Sequence, residues 1–249
     1  MADLDGFEDA IAAGRCELRR RADNSSAAAR KAYLKTPLEV LGCRVPDVRI
    51  TARSVHRSHR NVDRARLVAA LNRLYRSHVH EERLLAVYLA ESYRRRFDAE
   101  DVRTLFAAWL DDCHGWDITD SICLGVVGPV ALGAPRAWRH VAAWRHDRWL
   151  WRRRAAIVCH IPAIRAGRLQ EGRLRATCLD LIGERGFFIA KAIGWTLREL
   201  SLTDPDLTER LILDLGRQAS ALTLREALRR MPADRQARLR HALEASRAC

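Results

Sequence analysis

The sequence predicts an all-α protein built as an array of antiparallel helix pairs, and three observations carry that expectation. Apolar residues recur at helical spacing in almost every segment, and no run alternates apolar and polar residues as a half-buried strand does. Helical stretches of about 10 to 20 residues are divided by short breaks at 37–46, Gly115, 133–135, Gly186 and 231–232. Capping chemistry stands at several of the expected starts.

Taken along the chain, Asp98 with Asp101 three residues on predicts one helix start, and Asp204 followed by Pro205 predicts another. Thr223 with Glu226 reads as a capping box. Glycine and proline punctuate the intervals between them, as turn residues do. Helices joined by such short loops pack as antiparallel neighbours. One amphipathic pair cannot bury its apolar stripe alone, so stacking several pairs gives a curved, HEAT-like helical-repeat solenoid. The sequence holds no clean repeat, and a compact helical bundle is the alternative architecture. No linker or low-complexity tract divides the chain, which is therefore read as a single domain over residues 1–249.

The 249 residues are 48% hydrophobic, enough to bury a core, yet the formal net charge is +13. An excess of that size predicts an acidic partner, nucleic acid or an anionic membrane face. No apolar stretch approaches the roughly 20 residues of a spanning helix, and the first residues carry acids where a signal peptide carries bases. The expectation is a cytoplasmic protein, with a membrane the weaker of the two partners. Of the 44 basic residues only Lys31, Lys35 and Lys191 are lysines. Arginine's planar fork suits phosphate contacts; codon usage in a GC-rich genome gives the same preference but not the net charge. The three clusters Arg19 to Arg21, Arg94 to Arg96 and Arg152 to Arg154 lie far apart in sequence, which suits a solenoid with a basic concave face.

Metal and redox chemistry find no support. Seven cysteines, an odd number, are widely spaced without a CxxC pair, and read as reduced, mostly buried thiols. His78 and His80 precede Glu81 without the HExxH spacing that puts two ligands on one helical face. No metal and no organic cofactor is expected.

Three segments carry candidate chemistry. In 115–122, GWDITDSI, Trp116 and Asp120 are four residues apart and share a helical face, while Asp117 points elsewhere and can serve the helix start. A core tryptophan beside a solvated aspartate is the plain alternative. In 149–157, WLWRRRAAI, three adjacent arginines fan across about 200 degrees, so at most two can face one ligand; a solvated, snorkelling run is the alternative. In 187–199, FFIAKAIGWTLRE, Lys191, Trp195 and Arg198 fall at i, i+4 and i+7. Two cations and an indole in one row would be wasted in a core. Gly194, inside this helix, costs about 1 kcal/mol relative to Ala and marks close packing or the close approach of a partner.

Together YLKTPLEVLG (33–42), WDITDSI (116–122), WRRRAAI (151–157) and FFIAKAIGWTLRE (187–199) resemble the AlkD family of DNA alkylation repair glycosylases. The similarity runs from about Tyr33 to about Arg230, in the same order and at nearly the same spacing. The resemblance implies a HEAT-like solenoid that holds double-stranded DNA containing alkylated bases and hydrolyses the bond between a cationic purine and its sugar, the damaged base staying stacked. It implies catalytic roles for Asp120, the family's carboxylate, and for Trp116 and Trp195, which flank the deoxyribose. It implies DNA contacts for Arg154 and Tyr33, to which the reading of the residues adds Arg153, Lys191 and Arg198. A monomer is expected, since duplex fills the concave face, associated with the nucleoid through DNA and with no membrane partner.

The chemistry suits these residue types. Alkylation at a ring nitrogen makes the purine a positively charged leaving group, and bond breakage moves positive charge onto the sugar. A carboxylate stabilises that charge, and indole faces add cation–π attraction of roughly 0.5 to 2 kcal/mol each. Leu38, Val40, Leu200 and Leu202 depart from the family pattern, which leaves lesion preference open between small methyl and bulky adducts. Two further readings are a non-catalytic module of this fold that binds damaged or branched DNA, and a helical scaffold for an acidic protein.

Overall fold

The computed structural model describes residues 6–248. Two compact units divide the chain, Met1–Val130 and Ala131–Cys249. In the first, α1 (Gly6–Arg20), α2 (Asn24–Leu34), α3 (Val45–Ser58), α4 (Arg64–Tyr75) and α5 (His80–Ser92) are followed by α6 (Ala99–Asp101), α7 (Ala107–Asp111), α8 (Trp116–Ile122) and α9 (Gly128–Gly133), in which the division falls. The second holds α10 (Ala137–Ala143), α11 (Leu150–Val158), α12 (Ile161–Arg165), α13 (Glu171–Leu181), α14 (Phe187–Ser201), α15 (Pro205–Leu215), α16 (Ala221–Leu228) and α17 (Ala233–Ala248). The all-α class is as predicted. Extended pairing among the described residues amounts to an isolated parallel bridge between Glu39 and Val79.

Alternate helices stack on one another, as they do in repeat arrays. In the first unit α1 lies on α3, α3 on α5 and α5 on α8, with α4 also against α5. In the second, α11, α14 and α16 form one such row and α13, α15 and α17 another, with α14 also against α15. The stacking recurs along each unit, although the residues that fill it show no common pattern.

α5 is the centre of the first unit. Every residue from His80 to Ala90 is buried, so the helix has no polar face, and its charges are met by partners instead of water. Glu81 accepts backbone N–H groups from Leu41 and Gly42, each at 2.9 Å. Glu82 pairs with Arg15 at 2.9 Å and Arg19 at 3.2 Å. Arg83 pairs with Asp112 at 2.9 Å and donates to the carbonyls of Ser77 and Asp112. Gly42 has φ +84°, and a Cβ on it would stand 2.2 Å from the Asp23 carbonyl oxygen, so glycine is required where this segment crosses the start of α2.

The helix starts at Asp98 and Asp204 are as the sequence predicts. Asp98 forms a reciprocal capping box with Asp101, and Asp204 accepts from Leu207 N at 2.8 Å ahead of Pro205. The start assigned to Thr223 and Glu226 is wrong by three residues. Ser220 caps α16 by accepting from Thr223 N at 3.1 Å. Thr223 and Glu226 lie inside the helix and serve tertiary contacts, Thr223 Oγ1 donating to the Ala190 carbonyl and Glu226 pairing with Arg198.

Two π-helical turns were not legible in the sequence. Val102–Phe106 joins α6 to α7, and Cys123–Val127 joins α8 to α9. A π turn inserts one residue into a helix and is frequent beside functional groups; the second directly follows the segment that carries Trp116 and Asp120. Five cysteines, Cys43, Cys113, Cys123, Cys159 and Cys178, are buried free thiols and Cys16 is exposed, while Cys249 lies outside the described residues.

Candidate functional site

The candidate residues fall in two groups, one in each unit. In the first unit α8 starts at Gly115, which has no side chain to cap it. The helix start is held in other ways. Thr119 Oγ1 donates back to the Gly115 carbonyl at 2.9 Å, and Asp117, in the first turn, lies 2.9 Å from His80 Nε2. Trp116 and Asp120 are one turn apart on this helix; Trp116 is half-buried and Asp120 is 7% exposed. A carboxylate so placed is largely withdrawn from water yet borders the surface its neighbouring indole reaches.

Tyr33 arrives from the last turn of α2, which ends at Lys35 in the left-handed conformation. Its ring meets the Trp116 indole edge-on, with centroids 5.9 Å apart. The structure thus brings together Tyr33 and Trp116, with Asp120 one turn further along the same helix.

In the second unit the arginine run begins α11. It is not the solvated run that composition alone allows. Arg152 pairs with Asp147 at 3.2 Å. Arg153 pairs with Glu184 at 2.6 Å and donates to the Asp147 and Arg148 carbonyls, each at 2.7 Å. Arg154 is 4% exposed and donates to the Phe188 carbonyl at 2.7 Å, tying α11 to the first turn of α14. Trp151 and Phe188 pack beside that bond, with ring centroids 4.9 Å apart.

Lys191, Trp195 and Arg198 lie along α14 as their spacing predicts. Their surroundings differ. Lys191 is exposed, its ammonium 5.3 Å from the ring of Phe187, itself 55% exposed. Trp195 is half-buried and its indole N–H donates to Glu199 at 3.1 Å, a carboxylate also held by Arg165 at 2.8 Å. Arg198 pairs with Glu226 at 2.5 Å. Gly194 marks close packing: a Cβ there would lie 2.6 Å from Glu226 Cβ and 2.7 Å from the Thr223 carbonyl oxygen. α14 and α16 approach each other through that position.

Two residues escaped the sequence reading. Phe187 shares the exposed stripe of Lys191 and Trp195 by helical spacing, i, i+4 and i+8, and could have been found from it. His80 could not, because its partner Asp117 is 37 positions away in sequence. No helix among the described residues is long and apolar enough to cross a membrane.

Comparison with known proteins bears on the fold and the family. The solved structures include one described as a predicted DNA alkylation repair enzyme from Enterococcus faecalis, with a TM-score of 0.77 at 23% identity, covering 86% of this chain and 98% of that one. AlkD2 from Streptococcus mutans aligns with a TM-score of 0.57 at 18% identity, over 84% of this chain and 100% of its own. The smu.31 protein of Streptococcus mutans UA159 aligns with a TM-score of 0.53 at 18% identity, over 74% and 89%. No curated protein matches the sequence. At these identities the likeness speaks for the fold. The sequence itself speaks for the family, since the model of the DNA alkylation repair enzymes matches residues 15–231, a span that takes in both groups of candidate residues. The chain belongs to the DNA alkylation repair enzyme family.

Proposed function

We propose that this protein is a DNA glycosylase that hydrolyses the N-glycosidic bond of cationic alkylated purines in double-stranded DNA. The observation that carries the reading is the buried Asp120 carboxylate one helical turn from the half-buried Trp116 indole, with Tyr33 against that indole. A buried acid beside an aromatic face suits a reaction in which positive charge develops on a sugar.

In the proposed reaction the bond from C1′ to the purine nitrogen breaks, and its electron pair neutralises the alkylated base as it leaves. The sugar becomes oxocarbenium-like. Asp120, ionised, stabilises that charge and orients a water; water oxygen bonds to C1′, its proton passes to the carboxylate, and an abasic site remains. Trp116 offers its π face to the cationic sugar, and Trp195 is assigned a second indole for the same task. A base that leaves as a good leaving group need not be extruded, so the pocket of a base-flipping enzyme is no part of this reading.

Arg154 is proposed to hold the DNA backbone near the lesion, with Arg153, Lys191, Arg198 and Tyr33 contributing further contacts. The burial of Arg154 and its bond to the Phe188 carbonyl, like the ion pairs of Arg153 and Arg198, narrow what each can add, whereas exposed Lys191 is open to a phosphate. The protein is proposed to act as a monomer without metal or cofactor.

The test is release of 7-methylguanine from a defined duplex by the parent and by Asp120→Asn at matched folding. Release by the parent and none by the variant, with duplex affinity nearly unchanged, is the expected result. Failure of the parent on this substrate and on a duplex with a bulky adduct overturns the glycosylase reading in favour of a non-catalytic module that binds damaged DNA.

A further inference from the structure

We propose that His80 is a positioning residue of the site: its imidazole holds Asp117 and thereby fixes the helix that presents Trp116 and Asp120. The proposal rests on the glycosylase reading for its kinetic consequence, but its structural content stands separately.

His80 is the first residue of α5 and is 2% exposed. Its Nε2 lies 2.9 Å from Asp117 Oδ2, while its Nδ1 is buried without a hydrogen-bond partner. An N–H on Nε2 donates to the Asp117 carboxylate. A side chain present for volume alone would carry no ring nitrogen to leave unpartnered in the interior. The geometry assigns the imidazole to the bond with Asp117.

That bond acts where α8 is weakest. Gly115 offers no side-chain cap, and the Asp117 carboxylate lies close beside it, 3.0 Å from where a Cβ would stand. Asp117 is flanked in sequence by Trp116 and lies one turn ahead of Ser121, so holding it fixes the rotation of the helix about its axis. Rotation is what decides which way Trp116 and Asp120 face.

The same residue also serves the Tyr33 side. Its main-chain N–H donates to the Glu39 carbonyl at 2.8 Å, and Glu39 N–H donates to His78 at 2.9 Å, closing the bridge between the segment after Tyr33 and the start of α5. His80 therefore ties together, through its main chain and its side chain, the two strips of chain whose rings meet at Tyr33 and Trp116.

The experiment compares His80→Asn, His80→Gln and Asp117→Ala with the parent. A glutamine amide nitrogen reaches about as far as Nε2 and can replace its N–H; an asparagine nitrogen reaches only about as far as Nδ1. His80→Asn and Asp117→Ala are expected to lower the single-turnover rate of 7-methylguanine release on the order of ten- to a hundredfold, with duplex Kd within about twofold. His80→Gln is expected to recover most of the rate. Equal losses in Asn and Gln, or parental rates in Asn and in Asp117→Ala, overturn the proposal. Should His80→Asn not fold, Asp117→Ala decides, since it cuts the same bond from the half-exposed end. If the parent releases no base, the glycosylase reading fails on its own, and the bond is read by fluorine NMR of protein labelled with 5-fluorotryptophan. The Trp116 resonance, identified with Trp116→Phe, is expected to shift or broaden in Asp117→Ala and to keep its position in His80→Gln; an unmoved line in Asp117→Ala overturns the proposal.

Discussion

The phenol ring of Tyr33 leans edge-on against the indole of Trp116, and yet Tyr33 remains 72% exposed. An aromatic ring so exposed, in contact with a candidate catalytic residue, is proposed as part of the surface that meets DNA. Tyr33→Phe keeps the ring contact and is expected to bind lesion-containing duplex as the parent does. Tyr33→Ala removes an aromatic contact worth about 0.5 to 1.5 kcal/mol, so Kd measured by fluorescence anisotropy should rise roughly two- to tenfold. Thermal stability should change little, by about 0.5 kcal/mol or less, as at other surface positions. Unchanged Kd and unchanged release rate in Tyr33→Ala would remove Tyr33 from the DNA surface.

Gly194→Ala sets two effects against each other. Alanine in a helix interior gains about 1 kcal/mol over glycine, but the new Cβ meets the Thr223 carbonyl oxygen at 2.7 Å and Glu226 Cβ at 2.6 Å. The first of these is main chain and yields only if α16 moves. Overpacking of this kind costs about 1 to 3 kcal/mol, so net destabilisation is expected, seen as a lower urea midpoint at constant slope. Higher stability in the variant would show that α16 is free to shift.

These positions also show where sequence reading succeeds and where it stops. Gly194 was legible because a glycine inside a strong helical pattern carries a cost that close packing explains. Asp98 with Asp101 and Asp204 with Pro205 were legible because a cap and the N–H groups it accepts from lie within four residues. Thr223 with Glu226 has the same local form, and there the reading failed: both side chains are taken by α14, through Ala190 and Arg198, and the true cap is Ser220. Arg153 read as a phosphate contact from its neighbours in sequence, and its ion pair with Glu184, 31 residues later, lay beyond that local reading. The π-helical turn after Ile122 left no trace, since one inserted residue changes no composition. Trp116, Asp120 and Tyr33 were legible through family resemblance more than through physics, and His80 was not, because its partner Asp117 lies 37 positions away.

Glu81 holds the segment that follows Tyr33. Its two oxygens accept separately from Leu41 N and Gly42 N, and the side chain is wholly buried. Glu81→Gln keeps one acceptor and turns an amide NH2 toward the other N–H, leaving a buried donor without a partner. The expected loss is about 1 to 3 kcal/mol in urea unfolding, together with faster amide exchange at Leu41 and Gly42. Parental stability and exchange would mean that water or another group already satisfies these amides.

Acid sensitivity should centre on His160. Burial, with a lesser contribution from the nearby Arg173 cation, holds this imidazole far below its ordinary range, down to about 3. It is stacked on Trp138 with centroids 4.9 Å apart, and its ring makes a long polar contact, 3.4 Å, to Thr177. The unfolded chain takes up a proton on this ring near pH 6.5, and the folded chain does not until the pH is much lower. The unfolded state therefore binds more protons between those values, and stability falls as the pH drops through that window, by up to about 1.4 kcal/mol per pH unit for this group. His56, lowered chiefly by burial, adds a slope of the same sign in the parent and in any variant at position 160. Phenylalanine preserves the stacked ring and cannot titrate. Urea unfolding at pH 7 and pH 5 should show a loss in the parent that His160→Phe reduces by roughly 2 kcal/mol or less, and equal losses in the two proteins would show that His160 takes up its proton without unfolding the chain.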